Sequence, residues 1–406
     1  MSHKLSYRSV TAVLFCHFIA ASSTLGIAPF FSVILTDGFD MKPSLLVGLL
    51  YVLPTLLTAL ISPFWGKLAD KINKKSAILR AQIGLSLSFL LASLSHDHLI
   101  LFIISLSLQG LLGGTLAAAN AYLAKTNRGN QLSKLLNLTQ VSARASFLIA
   151  PIIIGLLIHY FSVFSIYLLL SIATFISAIW VLIAIENDTN LSIKTIDHHK
   201  QSNDIELKTN VIKTLPYTFL LIANLILSFG LVASFPYFIL LTQQHFHIQF
   251  SLISGLLFGL PHAVFLVIIF MLQHKISNYS NQVTIFILSL LLLALSITFQ
   301  AFISSSGLFF ILRLLMGVFM TISYISLNKM IASIKLTQKE GYIFGWLDSF
   351  NKYGGVLAGI FAGICFSLFG ISGPFLLSSL VLFIFAIFLI IYQFNDLSIS
   401  NQRKAI

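Results

Sequence analysis

Apolar runs of about twenty residues or more recur along the whole chain, separated by only a few polar residues. A run of that length crosses the roughly 30 Å hydrocarbon core of a bilayer as an α-helix. Inside that core every backbone N–H and C=O must be satisfied within the chain, which leaves helices and closed barrels as the spanning structures. A barrel alternates apolar and polar residues in segments of about ten. These runs are continuous, so the fold class expected is an all-α membrane protein. Twelve spans are read, at 9–36, 44–65, 76–95, 99–124, 133–160, 162–185, 215–241, 250–273, 281–303, 306–331, 340–369 and 371–393. Charged residues form only 9% of the chain, against about 25% in soluble domains.

The stretch Gly66-Lys67-Leu68-Ala69-Asp70-Lys71-Ile72-Asn73-Lys74-Lys75 lies between the second and third spans, one acid among four lysines. Lys and Arg are held on the cytoplasmic side. This loop, 125–134, 329–339 and both termini are therefore expected in the cytoplasm. Lys42 falls outside, and Arg144, Arg313 and Lys352 fall inside spans; the rest of the 24 Lys and Arg lie in the proposed cytoplasmic segments. The net charge of +12 thus reflects topology, and no nucleic-acid partner is expected. The first apolar run is too long for a signal-peptide core and reads as a retained span. Cys16 and Cys365 lie in apolar runs and read as core residues. Ile-, Lys- and Asn-rich usage points to an AT-rich bacterial source, hence the inner membrane.

Residues 186–214 mix acids and lysines and read as a cytoplasmic linker; His198-His199 there has no further ligand nearby. The linker divides the chain into six-span bundles at 1–185 and 215–406, and the halves repeat. Pro29 and Pro54 recur as Pro236 and Pro261 at an offset of 207. At the same offset Ser44-Leu45 matches Ser251-Leu252, Gly48 matches Gly255 and Gly110 matches Gly317. Such repeats of six spans mark secondary transporters with the substrate site between the bundles near the midplane.

With this repeat and this loop, the chain resembles the major facilitator superfamily. Gly66, Leu68, Ala69, Asp70, Lys71, Lys74 and Lys75 fit that family's signature between spans two and three. Asn73 stands where the family has Gly, and Asn tolerates a left-handed conformation. Ser62-Pro63-Phe64-Trp65, Gly113-Gly114 and Ala119-Asn120-Ala121 resemble the bacterial drug/proton antiporter branch. The pattern departs from that branch at Leu106, where its span-four Arg is expected, and in span five, where only Ala150-Pro151 and Gly155 match. The resemblance implies twelve helices in two pseudo-symmetric bundles and a gating role for Gly66, Asp70, Lys71, Lys74 and Lys75. It also implies efflux of a small molecule.

Four charges fall well inside spans, away from their ends: Arg144, Arg313, Asp348 and Lys352. Each is costly against lipid and should face a cavity or a partner. Asp348 and Lys352 are i,i+4 and can pair on one helix face. Arg suits carboxylates because its fork binds them bidentately. Three fixed cations against one acid point to an anionic substrate, possibilities including a carboxylate siderophore. Arg144, Arg313 and Lys352 are the expected contacts, with Gln109, Asn120 and Asn224 as hydrogen-bonding groups. Glu340 is placed at a span edge, leaving Asp348 as the proton carrier; His17 and His262 titrate near neutral pH and offer alternatives. Gly66, Gly110, Gly113, Gly114, Gly354, Gly355 and Gly359 are expected at close helix contacts, with Gly355 and Gly359 forming a Gly-x-x-x-Gly pair. No catalytic cluster, metal set or phosphate-binding loop is found, so neither an enzyme nor a cofactor is expected. The partners expected are the substrate, a proton or other coupling ion and lipid, with a monomer as the working unit. General multidrug/proton antiport and solute uptake are the competing functions.

Overall fold

A computed structural model describes residues 6–27, 30–41, 45–96, 98–127, 129–187, 216–235, 237–238, 241–242, 246, 251–334 and 340–402. Pro29, Lys42, Pro236, His198-His199 and the rest of 188–214 lie outside the described residues.

Capping chemistry sets many of the helix ends. Ser6 opens α1 (Tyr7–Leu25) by accepting from the Ser9 N–H at 3.2 Å. Helices α2 (Phe31–Phe39), α3 (Leu45–Lys71), α4 (Lys74–Ser93), α5 (Leu99–Leu112) and α6 (Thr115–Thr126) follow. Then come α7 (Gly129–Tyr160), α8 (Val163–Ala184), α9 (Tyr217–Val232), α10 (Ser251–Ser277) and α11 (Gln282–Phe302). Helices α12 (Ser306–Ala332), α13 (Glu340–Phe369) and α14 (Gly373–Gln402) complete the chain. Ten stretches of the described residues are long and apolar enough to cross a bilayer. One of them, Glu340–Gln393, holds two helices, and the shorter Tyr217–Val232 completes twelve spans. Leu182, Val267, Phe270 and Phe388 lie on the outer surface, exposed as lipid-facing side chains are.

Three expected spans are not continuous helices; the seventh, expected over 215–241, ends as a helix at Val232 with Ala233 as its cap. The first divides into α1 and α2, with Gly26 as the cap between them. Gly26 also sits against α7, where a Cβ would meet Ala150 Cβ at 2.6 Å. The fourth breaks at Gly113 and Gly114, the latter at φ 90°. Open carbonyls at the break are filled from neighbouring helices. Trp65 Nε1 donates to Leu111 O at 2.6 Å, and Arg80 donates to Leu112 O at 2.8 Å and Gly113 O at 3.1 Å. The Arg80 guanidinium lies 3.7 Å over the Trp65 ring, a contact that fixes both donors. The glycine pair therefore serves a change of helix direction rather than close packing.

The internal repeat is visible as geometry. A Cβ on Gly110 would meet Pro54 O at 2.5 Å, and one on Gly317 would meet Pro261 O at 2.9 Å. The same proline carbonyl faces the same glycine in each half. Asn73 and Asn281 both cap the helix that follows, accepting from the Ser76 and Thr284 N–H groups at 3.1 Å each. Asn73 is extended, at φ −168°, so its value lies in its side-chain oxygen and not in a left-handed backbone. The Gly-x-x-x-Gly pair also fails to mark the tight spot. Gly355 and Gly359 have only ordinary contacts at 3.9 Å, whereas Gly354 packs directly on Leu225 O.

Candidate functional site

The end of the bundle that carries residues 66–75 is called the basic end here. There α3 and α13 meet through glycine. Gly66 packs on Gly341 O, Gly341 on Gly66 O, and a Cβ on Gly345 would meet Ser62 O at 2.6 Å. Asp70 caps the seam. Its Oδ1 accepts from Gly341 N at 2.8 Å and its Oδ2 from Tyr342 N at 2.9 Å. These N–H groups open α13, where free donors and the helix dipole favour an anion. Lys74 Nζ stands 3.4 Å from Asp70 Oδ1 and 3.3 Å from Glu340 Oε2. Lys74 and Glu340 are both buried, so the pair is shielded from solvent screening.

Glu340 lies at the edge of its span, as the first residue of α13, and there it is also a seam residue. Nothing local in the sequence marks it, because its partner Lys74 is distant in the chain. Lys75 turns away and donates to Leu182 O at 2.9 Å, and Lys71 is exposed at the end of α3.

Deeper along the same seam, Ser62 Oγ donates to Asp348 Oδ2 at 2.8 Å, and Ser349 Oγ donates to Ala59 O. One turn further, Lys352 Nζ lies 3.7 Å from Asp348 Oδ1. The i,i+4 spacing places the two on one face of α13. His17, on α1, is buried with both ring nitrogens lacking a hydrogen-bond partner and lies within electrostatic range of Lys352.

Between the bundles, beyond the seam, is a cavity of about 30 Å³ lined by Asn120, Gln140, Asn224, Tyr324, Asn328, Asp348 and Asn351. That is room for about two waters. Its amides are mostly engaged. Asn224 donates to Leu347 O at 2.7 Å and accepts from Asn351 at 3.1 Å. Asn120 accepts from Thr139 at 3.0 Å. Gln140 lines the cavity without having been singled out in the sequence. Gln109, expected there, is buried elsewhere in α5, with Oε1 unpartnered.

The opposite wall belongs to α7, α10 and α12. Asn328 Nδ2 donates to Asn137 Oδ1 at 2.8 Å across the bundles. Arg144, one turn beyond Gln140, is buried. Its guanidinium lies 4.8 Å over Tyr324, 5.7 Å from Phe265 and 5.8 Å from Phe147. Its Nε has no hydrogen-bond partner, and no carboxylate among the described residues pairs with it. His262 stacks on Phe147 with centroids 5.3 Å apart and stands edge-on to Phe235 at 6.1 Å. Its Nδ1 is also unpartnered, and it lies within electrostatic range of Arg144. Counted from the helix starts at Gly129 and Glu340, Arg144 and Lys352 sit roughly 22 and 18 Å deep at about 1.5 Å per residue. The two cations therefore lie at similar depth along their helices, next to residues that line the cavity but not themselves in its lining.

Arg313, an expected substrate contact, does not line the cavity. It is 1% exposed and enclosed within its own bundle. Its Nε donates to Leu257 O at 3.0 Å and its Nη2 to Phe258 O at 2.7 Å. Its Nη1 reaches Gln300 Oε1 at 3.4 Å, and its guanidinium lies 4.3 Å over Phe238. The cause is Pro261, four residues after Leu257 in a continuous α10. Proline has no N–H to donate to the carbonyl four residues back, and Arg313 supplies the missing donor. Its hydrogen-bonding capacity is directed at the carbonyls beside the proline and not at the inter-bundle cavity.

Twelve spans in two related halves around a shared polar cavity are the architecture of a membrane transporter. The chain belongs to the Major Facilitator Superfamily, whose pattern it matches over residues 13–299 and 275–403. Among curated relatives, a staphyloferrin B transporter of Staphylococcus aureus is 32% identical over 133 residues, 33% of this chain and 32% of that protein. The matched segment thus spans about a third of that relative. The multidrug resistance protein MdtG of Salmonella arizonae is 24% identical over 359 residues, 88% of this chain and 86% of that protein. The human organic anion transporter MFSD10 shares the fold, with a TM-score of 0.75 at 15% identity, covering 94% of this chain and 98% of the other.

Proposed function

We propose that this protein exports a small organic anion across the bacterial inner membrane by alternating access, with the basic end and both termini in the cytoplasm. The single observation that carries this is Arg144, a buried cation with no carboxylate partner among the described residues, beside the inter-bundle cavity. A buried, uncompensated charge is costly, and a substrate carboxylate offsets that cost. Arg144 and Lys352 receive the anion from opposite walls, Asn120 and Asn224 add polar contacts, and Asp348 carries the coupling proton. The bundles at 1–185 and 215–406 rock against each other, joined by 186–214. Asp70, Lys74 and Glu340 hold the cytoplasmic side closed. The multidrug resistance relatives support efflux, the staphyloferrin B transporter supports a small organic substrate, and a carboxylate siderophore fits the cation pair.

A second reading, broad efflux of lipophilic cations, is favoured by the multidrug relatives that cover 88% of the chain. Transport by Arg144→Gln, Arg144→Lys and Arg313→Gln separates the two. For an anionic substrate, both Arg144 variants lose transport, the Lys variant included, because fork geometry is lost while charge remains. Arg313→Gln loses thermal stability by about 2 kcal/mol, as carbonyls are left bare, with substrate affinity unchanged. Ethidium efflux that is normal in Arg144→Gln overturns the anion reading.

A further inference from the structure

A flat ring-on-ring contact joins the two bundles. Phe147 of α7 and His262 of α10 stack with planes 12° from parallel and centroids 5.3 Å apart. Stacked carbons touch at about 3.5–4.0 Å, so that centroid distance means the rings are offset. Part of the Phe147 face therefore lies beside the imidazole and not under it. Phe235 and Phe258 stand edge-on to His262 at 6.1 and 6.2 Å and brace the plane of its ring.

Arg144 lies three residues before Phe147 on α7, so the two share a helix face. Its Cζ is 5.8 Å from the Phe147 ring, while Tyr324 and Phe265 of the other bundle close around the guanidinium. Two buried polar atoms meet here without a hydrogen-bond partner, Nε of Arg144 and Nδ1 of His262. Buried polar groups are normally satisfied, and these two sit on opposite bundles at one aromatic ring.

We propose that the Phe147 face is the platform for the ring of an aromatic hydroxy acid, with its carboxylate on Arg144 and its hydroxyl on His262 Nδ1. The proposal rests on the anionic-substrate reading above and narrows it. As the bundles part, the substrate ring enters beside His262 and covers the rest of the Phe147 face. A carboxylate held by the Arg144 fork carries a ring bonded directly to it over the neighbouring phenyl group. Offset stacking favours that ring over a saturated one of equal size. Lying in the plane of the imidazole, the substrate presents its edge to Nδ1. A hydroxyl there both donates and accepts, so it satisfies Nδ1 in either tautomer. An aliphatic acid leaves the ring face and the nitrogen unused, and an aromatic cation meets Arg144 as a like charge.

Benzoate, cyclohexanecarboxylate and the hydroxybenzoates serve as probes, their carboxyl groups ionised at neutral pH. Binding to the purified full-length protein in detergent is measured by calorimetry. Benzoate is expected to bind roughly fivefold more tightly than cyclohexanecarboxylate. At least one hydroxybenzoate isomer gains about a further fivefold. Phe147→Leu brings the ratio of benzoate to cyclohexanecarboxylate close to one, whereas Phe147→Tyr retains it. His262→Phe abolishes the hydroxyl gain and keeps the aryl preference. A wild type that binds benzoate and cyclohexanecarboxylate equally overturns the platform and leaves the anionic-substrate reading standing. So does an aryl preference that persists in Phe147→Leu. A hydroxyl gain that is absent from every isomer, or that survives in His262→Phe, overturns the role of His262 and with it the hydroxy acid. A wild type that binds none of these acids overturns the anionic-substrate reading and the inference together.

Discussion

The bundles meet along two walls closed by different chemistry. Between α3 and α13, backbone touches backbone at Gly66, Gly341 and Gly345, and a charged cluster of Asp70, Lys74 and Glu340 seals the edge. Between α7 and its neighbours α10 and α12, contact is side chain to side chain, through Asn137–Asn328 and Phe147–His262. Glycine backbones have no rotamers with which to adapt, so the first wall is either closed or parted. Rings and amides can slide and re-pair. We propose that the first wall is a latch and the second a bearing on which the bundles turn.

The largest effect is expected from Gly66→Val, because a side chain there falls on the Gly341 carbonyl. Transport in vesicles should drop to background, and a reporter at Gln140→Cys should become reactive from the cytoplasmic face. Normal transport in that variant removes the latch. Asp70→Asn is milder. It keeps the shape but loses the charge, and one of the two acceptors, that face the first N–H groups of α13, worth about 1–2 kcal/mol. Reporter labelling should rise roughly tenfold in proportion.

On the other wall, Asn328→Ala removes one neutral hydrogen bond worth about 1 kcal/mol. If that wall is a bearing, reporter labelling should change less than in Asp70→Asn, and an equal or larger change would erase the distinction. The smallest effect belongs to Asn73→Gly. An N-cap exchanged for Gly loses a few tenths of a kcal/mol, visible as a slight fall in thermal stability with transport intact. A rise in stability would mean that the backbone at 73 prefers the left-handed region after all.

What the sequence made legible, and what it hid, divides along the same physical line. Spans are written in hydropathy, and the halves in a fixed offset, because both patterns are local or periodic. Asp70 was legible through its loop. Glu340 and Ser62 were not, since each acquires its role from a helix in the other half. The break in span four had a visible signal in Gly113-Gly114, yet adjacent glycines serve close packing and chain reversal equally well. Arg313 shows the limit most plainly. Depth in a span identifies a costly charge, but a substrate and a bare carbonyl satisfy it alike. The deciding clue was Pro261 at the matching height of the neighbouring helix.

That proline–arginine contact has an evolutionary consequence. Arg313 lost alone strands the Leu257 carbonyl, while Pro261 replaced alone restores a helical donor and makes one of the arginine's hydrogen bonds redundant. Neighbouring residues that share a partner show non-additive energies of about 0.5–3 kcal/mol. The two positions are therefore epistatic, and the order of substitution matters: a descendant lineage could shed the arginine more easily after the proline had gone. The N-terminal half has Pro54 with Leu106 at the arginine's counterpart, so the two halves of the repeat already meet the same proline in different ways.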